Sequence, residues 1–250
     1  MALMMRAVER ALSIFDAFDT ENPTLTLQGI GARIGLSKAT THRLVNSLNA
    51  SGYLVRVGNH KYSLSLKFVR LAGLVRSTLT VRDIARPVMT EIADATGETI
   101  VLNTVSGNER ICIEVIETPA ALMHIVKPGE HVPLVHGATG KILLAYMDDK
   151  QVEKVLNSSK DNKTINRKAF FAQLKKFRKQ GFSHTSGERA LGVTAVSVPL
   201  FSIDGSVSDC LTLSGPSIRV DPRVEEFKKI MLKAGAAISN MLGAESPPKA

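Results

Sequence analysis

Residues 36–48 read Leu36-Ser-Lys-Ala-Thr-Thr-His-Arg-Leu-Val-Asn-Ser-Leu48, and their spacing decides how the N-terminal third folds. Thr41, Leu44, Val45 and Leu48 fall at i, i+3, i+4 and i+7. They form one apolar stripe of an α-helix, with the Thr41 methyl at its edge. The opposite side presents Ala39, Thr40, Arg43 and Asn46. Ser37 can cap the start through its hydroxyl, and Gly52 stops the helix beyond Ala50. Such an outer face suits a DNA major groove. Arg43 can donate two hydrogen bonds to guanine, Asn46 can pair with adenine, and Ala39 can touch a thymine methyl. Ser37 and Lys38, at the helix start, suit phosphate contacts. Alone, the stretch also reads as an ordinary amphipathic surface helix, so its neighbours matter.

Upstream, Arg6 to Phe18 carries Ala7, Ala11, Ile14, Phe15 and Phe18 at helical spacing, and Asn22-Pro23 ends that helix. Thr26 can cap a second helix through Arg33, and Gly35 supplies a left-handed turn. Downstream, Tyr53 to Val57 and Lys61 to Leu64 flank Gly58-Asn59, a hairpin signal. Leu66 to Thr80 returns to helical spacing and reads as a connector. Helix, helix, turn, helix, hairpin is the order of a winged helix-turn-helix. Charge agrees: between Glu21 and Asp83 there is no acid, while Arg33, Lys38, Arg43, Arg56, Lys61, Lys67, Arg70, Arg76 and Arg82 lie there. A stretch so basic binds a phosphate backbone with release of counterions. In the hairpin, Arg56, His60 and Lys61 suit backbone or minor-groove contacts.

From Arg86-Pro87 onward the pattern becomes mixed. It predicts a helix over Val88–Thr96 and strands at about Thr99–Val105, Arg110–Ile116 and Leu122–Val126. Helices at Gly137–Met147 and Lys168–Gln180 follow, then strands at Val193–Phe201 and Val207–Ser214. An amphipathic helix over Val224–Leu242 closes the chain. Strands segregated from helices give an α+β domain with a largely antiparallel sheet.

Composition excludes other classes. Hydrophobic content of 44% and mean hydropathy of +0.06 describe a chain with a proper core. The apolar runs are too short for a bilayer and no signal-peptide pattern opens the chain, which places the protein in the cytoplasm, off the membrane. Cys112 and Cys210 read as reduced, buried thiols. The six histidines, His42, His60, His124, His131, His136 and His184, make no zinc spacing, so no metal is expected. No nucleophile elbow or dinucleotide fingerprint is present, hence no catalytic residue and no cofactor. RNA binding would call for exposed stacking aromatics, and the few Phe and Tyr sit mostly at core spacing.

Three ordered motifs resemble the IclR family of bacterial regulators. Gly35 to Leu54 is similar to its recognition helix and entry to the wing. Pro133-Leu134 with Ala138-Thr-Gly-Lys-Ile-Leu-Leu-Ala145 resembles a second segment. Gly187-Glu188, Gly192, Ala195, Pro199 and Leu213-Ser-Gly-Pro216 with Arg219 resemble its C-terminal signature. The resemblance implies a winged helix-turn-helix (1–65), a linker helix (66–82), a GAF-like effector-binding domain (83–244) and a tail (245–250). It also implies a homodimer or homotetramer on a double-stranded operator.

The resemblance places an effector pocket between the start of the Gly137 helix and the C-terminal strands. Gly137 and Ala138 would offer backbone N–H groups at a helix N-terminus, which favour a carboxylate. Thr185, Val193, Ala195, Thr212 and Ser214 match the strand side. Where glyoxylate- and pyruvate-sensing members carry an acid and a Cys, this chain has Thr185 and Ala195. That departure points to small organic acids with an apolar part, aromatic ones included, and away from glyoxylate. Lys141 reads as a ligand or as a solvated lysine. An enzyme built on the GAF-like domain remains the alternative, and a DNA gel shift separates the two.

Overall fold

The computed structural model of this 250-residue chain describes residues 6–78, 80–118, 120, 125–160 and 164–244, with only the backbone of 75–78. The chain divides into two compact units, Met1–Leu79 and Thr80–Ala250.

The first unit runs α1 (Arg6–Asp16), β1 (Leu25–Thr26), α2 (Leu27–Ile34), α3 (Lys38–Ala50), β2 (Leu54–Val57), β3 (Lys61–Leu64) and α4 (Lys67–Thr78). The caps form where the side chains predict them. Thr26 accepts from the Gly29 N–H, Ser37 accepts from the Thr40 N–H, and Gly35 is left-handed at φ 67°. Ile14, Ala17, Ile30, Val45, Leu54 and Tyr62 close a small core in which α1, α2, α3 and the hairpin meet. Phe15, Tyr53 and Phe68 stack at its edge, and the Lys67 ammonium lies 3.8 Å over the Tyr53 ring. A three-stranded antiparallel sheet, ordered β1-β3-β2, makes the wing. Its turn differs from the sequence expectation of Gly58-Asn59. The left-handed residues are Asn59 (φ 57°) and His60 (φ 56°), and the Lys61 N–H returns to the Gly58 carbonyl at 3.4 Å. The cause is register: pairing Arg56 with Tyr62 buries Tyr62, which moves the tight turn one residue along.

The second unit runs α5 (Val81–Thr96), β4 (Thr99–Ser106), β5 (Glu109–Ile116), β6 (His131–Pro133), α6 (Gly137–Ala145), α7 (Asp149–Ser158), α8 (Arg167–Gln180), β7 (Ser183–Ser186), β8 (Val193–Leu200), β9 (Asp209–Pro216), α9 (Ser217–Val220) and α10 (Val224–Met241). Six strands make one antiparallel sheet, ordered β6-β5-β4-β9-β8-β7. The period-two alternation of side chains splits each strand between two covered faces. Ile100 and Leu102, Val196 and Val198, and Leu211 and Leu213 pack with Met89, Ile92, Phe227 and Met231 of α5 and α10. The alternate residues face α6, which α7 and α8 back through Leu143, Val152, Phe170 and Leu174.

Helix α5 begins well before the predicted Val88 and runs through Pro87. Proline in a helix interior forfeits a hydrogen bond and clashes with the preceding turn. Tertiary forces override it here. Thr80 and Asp83 form a capping box, Val81 and Ile84 pack on the core, and Arg82 and Arg86 both grip the buried Glu114 of β5. Burial alone would raise the Glu114 carboxyl; the two guanidinium hydrogen bonds hold it below its ordinary value. β6 and β7 are short and lack a clean sequence period, so the sequence does not announce them. α7 does carry one, with Val152, Val155 and Leu156 at i, i+3 and i+4 behind an Asp148–Gln151 capping box, and the sequence reading missed it. Of the expected Leu122–Val126 strand, 122–124 lie outside the described residues, and Ile125 and Val126 are not in a strand. The expected tail, 245–250, also lies outside them.

Two glycines in the later motifs permit close approaches. A Cβ at Gly140 would collide with the Leu134 carbonyl, and one at Gly215 would collide with the Glu98 carboxylate. Glu98 is buried and receives two 2.8 Å hydrogen bonds from the Arg219 fork, which locks the end of β9 to the start of β4. Gly140→Ala should destabilise the protein by about 3 kcal/mol, because rigid backbone must move to admit the methyl. Urea unfolding of the variant against the parent measures it; a loss below about 0.5 kcal/mol would contradict the packing described.

Candidate functional site

In the first unit, α3 presents Lys38, Ala39, Arg43 and Asn46 to solvent, while Thr41 and Val45 are buried and Leu44 and Leu48 half-buried. The apolar stripe and the outer face therefore lie as their spacing predicts. Thr40 is half-buried and shares a 3.0 Å hydroxyl contact with Ser37. The Asn46 amide rests 3.3 Å from the His42 ring, an exposed neighbour that the base-reading set left out. In the wing, Arg56 Nη2 and His60 Nδ1 are 2.6 Å apart, and Lys61 is exposed at the start of β3. Among the described residues, Lys38, Arg43, Arg56 and Lys61 form no ion pair; Arg33 is instead tied to Asp19. The nearest side-chain partners thus leave these four cations available to phosphates or bases.

In the second unit, the residues expected at an effector pocket meet in one cavity of about 30 Å³. Gly137, Ala138, Thr185, Val193, Ala195, Thr212 and Ser214 all line it. Strand alternation explains the gathering: Val193/Ala195 and Thr212/Ser214 are i, i+2 pairs on the face that α6 covers. Gly137 opens α6 at φ 72°, and His136 makes no side-chain cap there. β7 clamps the first turn. Thr185 Oγ1 accepts from the Ala138 N–H at 3.0 Å, and the Ser183 hydroxyl donates to the Ala138 carbonyl at 2.7 Å. Thr212, Thr139 and Ser197 hydroxyls form a buried cluster at 2.8–3.5 Å. Hence the Ala138 N–H and the Thr212 hydroxyl already have protein partners.

The sequence reading missed four polar residues of the cavity: Asn103, Arg110, Thr139 and Arg189. Arg110 is 3% exposed and donates to Asn103 Oδ1 at 2.6 Å; Arg189 pairs with Glu130. Burial, with help from the Arg189 charge, pulls the Arg110 guanidinium down to about 10, so it stays charged at neutral pH. No carboxylate lines the cavity among the described residues. Lys141 is neither solvated nor in the cavity lining. It is buried, paired with Glu188, and 5.7 Å over the Phe170 ring. Both cysteines are free and buried. No helix among the described residues is long and apolar enough to cross a membrane, and no group of His, Cys, Asp or Glu there could hold a metal.

A winged helix-turn-helix followed by an α+β unit with a polar cavity under one helix defines a DNA-binding regulator with an effector domain. Comparison with known proteins agrees. The IclR helix-turn-helix domain matches residues 7–58, and the bacterial transcriptional regulator IclR C-terminal domain matches residues 74–240. The chain is 31% identical over 247 residues to the HTH-type transcriptional regulator XynR of Escherichia coli (strain K12), covering 96% of this chain and 98% of that one. It is 26% identical to the regulator KdgR of the same organism, over 97% and 95%. Among solved structures, Pseudomonas aeruginosa HmgR superposes with a TM-score of 0.83 at 23% identity, covering 96% of this chain and 99% of that one. The Agobacterium tumefaciens repressor BlcR gives 0.81 at 20%, over 98% and 100%. This chain belongs to the IclR family of transcriptional regulators. Its members bind DNA through the N-terminal domain and an effector through the C-terminal one, and they are not enzymes.

The clamp on α6 has a direct test. Ser183→Ala and Thr185→Val should each lower stability by about 1–2 kcal/mol, since the first removes a buried hydrogen bond to the Ala138 carbonyl and the second leaves the buried Ala138 N–H without its partner. Chemical denaturation reads the loss; neutral substitutions would mean that water or another group replaces the β7 hydroxyls at no cost.

Proposed function

We propose that this regulator senses a small organic acid, a metabolite of a catabolic pathway, and changes its operator binding in response. The observation that carries the reading is the cavity under α6: apolar Val101, Val193 and Ala195, hydroxyls of Thr185, Thr212 and Ser214, the N-terminal turn of α6 and no lining carboxylate among the described residues. An anion is the ligand that such a lining repels least. At about 30 Å³ the cavity admits only a few heavy atoms. That favours a short aliphatic acid over an aromatic one. The protein acts in the cytoplasm as a homodimer or homotetramer on a double-stranded operator with inverted half-sites.

For the DNA face, the proposed contacts are Ser37, Lys38, Ala39, Thr40, Arg43 and Asn46 on α3, with Arg56, His60 and Lys61 on the wing. Arg43 is exposed and packs on nothing in the core, so Arg43→Ala should leave the fold intact. It should weaken operator binding by about 1–3 kcal/mol, the range for one bidentate base contact. Gel shifts with DNA from upstream of the gene measure this, and normal affinity for the folded variant would refute the α3 assignment.

Salt dependence separates the two kinds of contact. Removing Lys38, Arg56 or Lys61 singly should lower the slope of log affinity against log salt by about 1 while sparing sequence preference. An unchanged slope in all three variants would remove these residues from the phosphate contacts. Footprints showing a single unrepeated half-site would refute the dimeric operator.

A further inference from the structure

The effector cavity is polar in two places that differ in one respect. On the α6 side, two of the donors already have protein partners: the Ala138 N–H goes to Thr185, and the Thr212 hydroxyl sits in the cluster with Thr139 and Ser197. On the β4–β5 side, two buried donors have no partner among the described residues, Asn103 Nδ2 and Arg110 Nε. Asn103 is 0% exposed and Arg110 3%, and both line the cavity. Leaving buried donors unpaired is costly, and a native fold keeps such groups where something else fills them.

Charge points the same way. The other cations near α6 are neutralised: buried Lys141 by Glu188, and Arg189 by Glu130. The buried carboxylates at the sheet ends, Glu98 and Glu114, hold Arg219 and Arg82 with Arg86. Arg110 has a hydrogen bond to a neutral amide and no ion pair with a described carboxylate. One unit of positive charge in the cavity is therefore left for a ligand.

We propose that Arg110 and Asn103 form the carboxylate receptor of this cavity, and that the effector is a short monocarboxylate whose charged end lies on β4 and β5. This rests on the small-acid reading above and moves the charge away from the Gly137 and Ala138 amides, where the sequence expectation placed it. The effector's tail then lies toward Val193 and Ala195, with the α6 hydroxyl network beside it. A dicarboxylate would bring a second charge with no second free cation among the described lining residues to meet it.

The test is isothermal calorimetry on the full-length protein. The probes are straight-chain monocarboxylates from acetate to valerate, their 2-hydroxy derivatives, the matching amides, and malonate and succinate. At least one monocarboxylate should bind, with its amide and the diacids at least tenfold weaker. Arg110→Met should lower that affinity about 100-fold, and Arg110→Lys, which keeps charge but loses the planar fork, about tenfold. Asn103→Leu should lower it measurably as well. Binding of no probe to the parent protein overturns the small-acid reading itself. Binding to the parent that survives within threefold in both Arg110 variants overturns only the receptor, as would a diacid binding tighter than its monocarboxylate. Circular dichroism confirms folding of each variant, and the lysine substitution serves if the methionine one does not fold.

Discussion

A helix with every residue buried sets the terms for the C-terminal unit. From Gly137 to Ala145, α6 exposes nothing; it lies between the sheet and the layer of α7 and α8. A helix so placed cannot rely on solvent for its terminal amides. It is instead held by backbone contact at Gly140, by the β7 hydroxyls at Ala138, and by Thr139 in the hydroxyl cluster. The covering of the sheet's second face leaves a gap at the N-terminal turn of α6, and that gap is the cavity. Packing and site are thus one feature: the clamp that fixes the helix also fixes the cavity wall.

The same unit shows how buried charge is managed. Three buried ionic groups are paired where elements join: Glu98 with Arg219 between β4 and α9, Glu114 with Arg82 and Arg86 between β5 and α5, and Lys141 with Glu188 between α6 and the loop after β7. Removing one partner of such a pair costs more than the pair contributes, because an unpaired charge remains in a poor solvent. These pairs therefore specify arrangement as much as they stabilise it. They also explain parts of the C-terminal signature physically. Gly215 leaves space for the Glu98 carboxylate, Arg219 neutralises it, and Glu188 reaches Lys141.

Much of the fold was legible in the sequence where one face of an element is apolar and the other solvated. The α3 stripe of Thr41, Leu44, Val45 and Leu48 is such a case, as are the Ser37 and Thr26 caps. Legibility fails where elements are covered on both sides. In β5 the apolar residues Ile111 and Ile113 advertise one face, and nothing local says that Arg110 and Cys112 face a second buried layer. Arg110 therefore figures in the sequence reading only as the start of a strand and not as a site residue. Lys141 hid in the same way, since a lysine in an apolar helix reads as its solvated side unless the acid opposite is known. Pro87 misled in the other direction: the local rule for proline is sound, but the Thr80 cap and the Glu114 pairs act from outside its window.

The chain also constrains how an effector and an operator communicate. Linkage requires that whatever the effector does to DNA affinity, DNA does to effector affinity. Between the two units the chain runs from α4, which ends at Thr78, to α5, which begins at Val81. The first turns of α5 are held by Arg82 and Arg86 on Glu114, and Glu114 lies four residues along β5 from Arg110. β5 carries a register shift opposite Leu102 and Asn103, between those two positions. A bulge there bends the strand and separates the alternation of Glu114 from that of Arg110. A charge bound at Arg110 thus acts on the strand that anchors the start of α5, whereas a charge at the α6 terminus acts on the opposite layer. For the proposed anion, the choice between these two positions decides which side of the sheet carries the response.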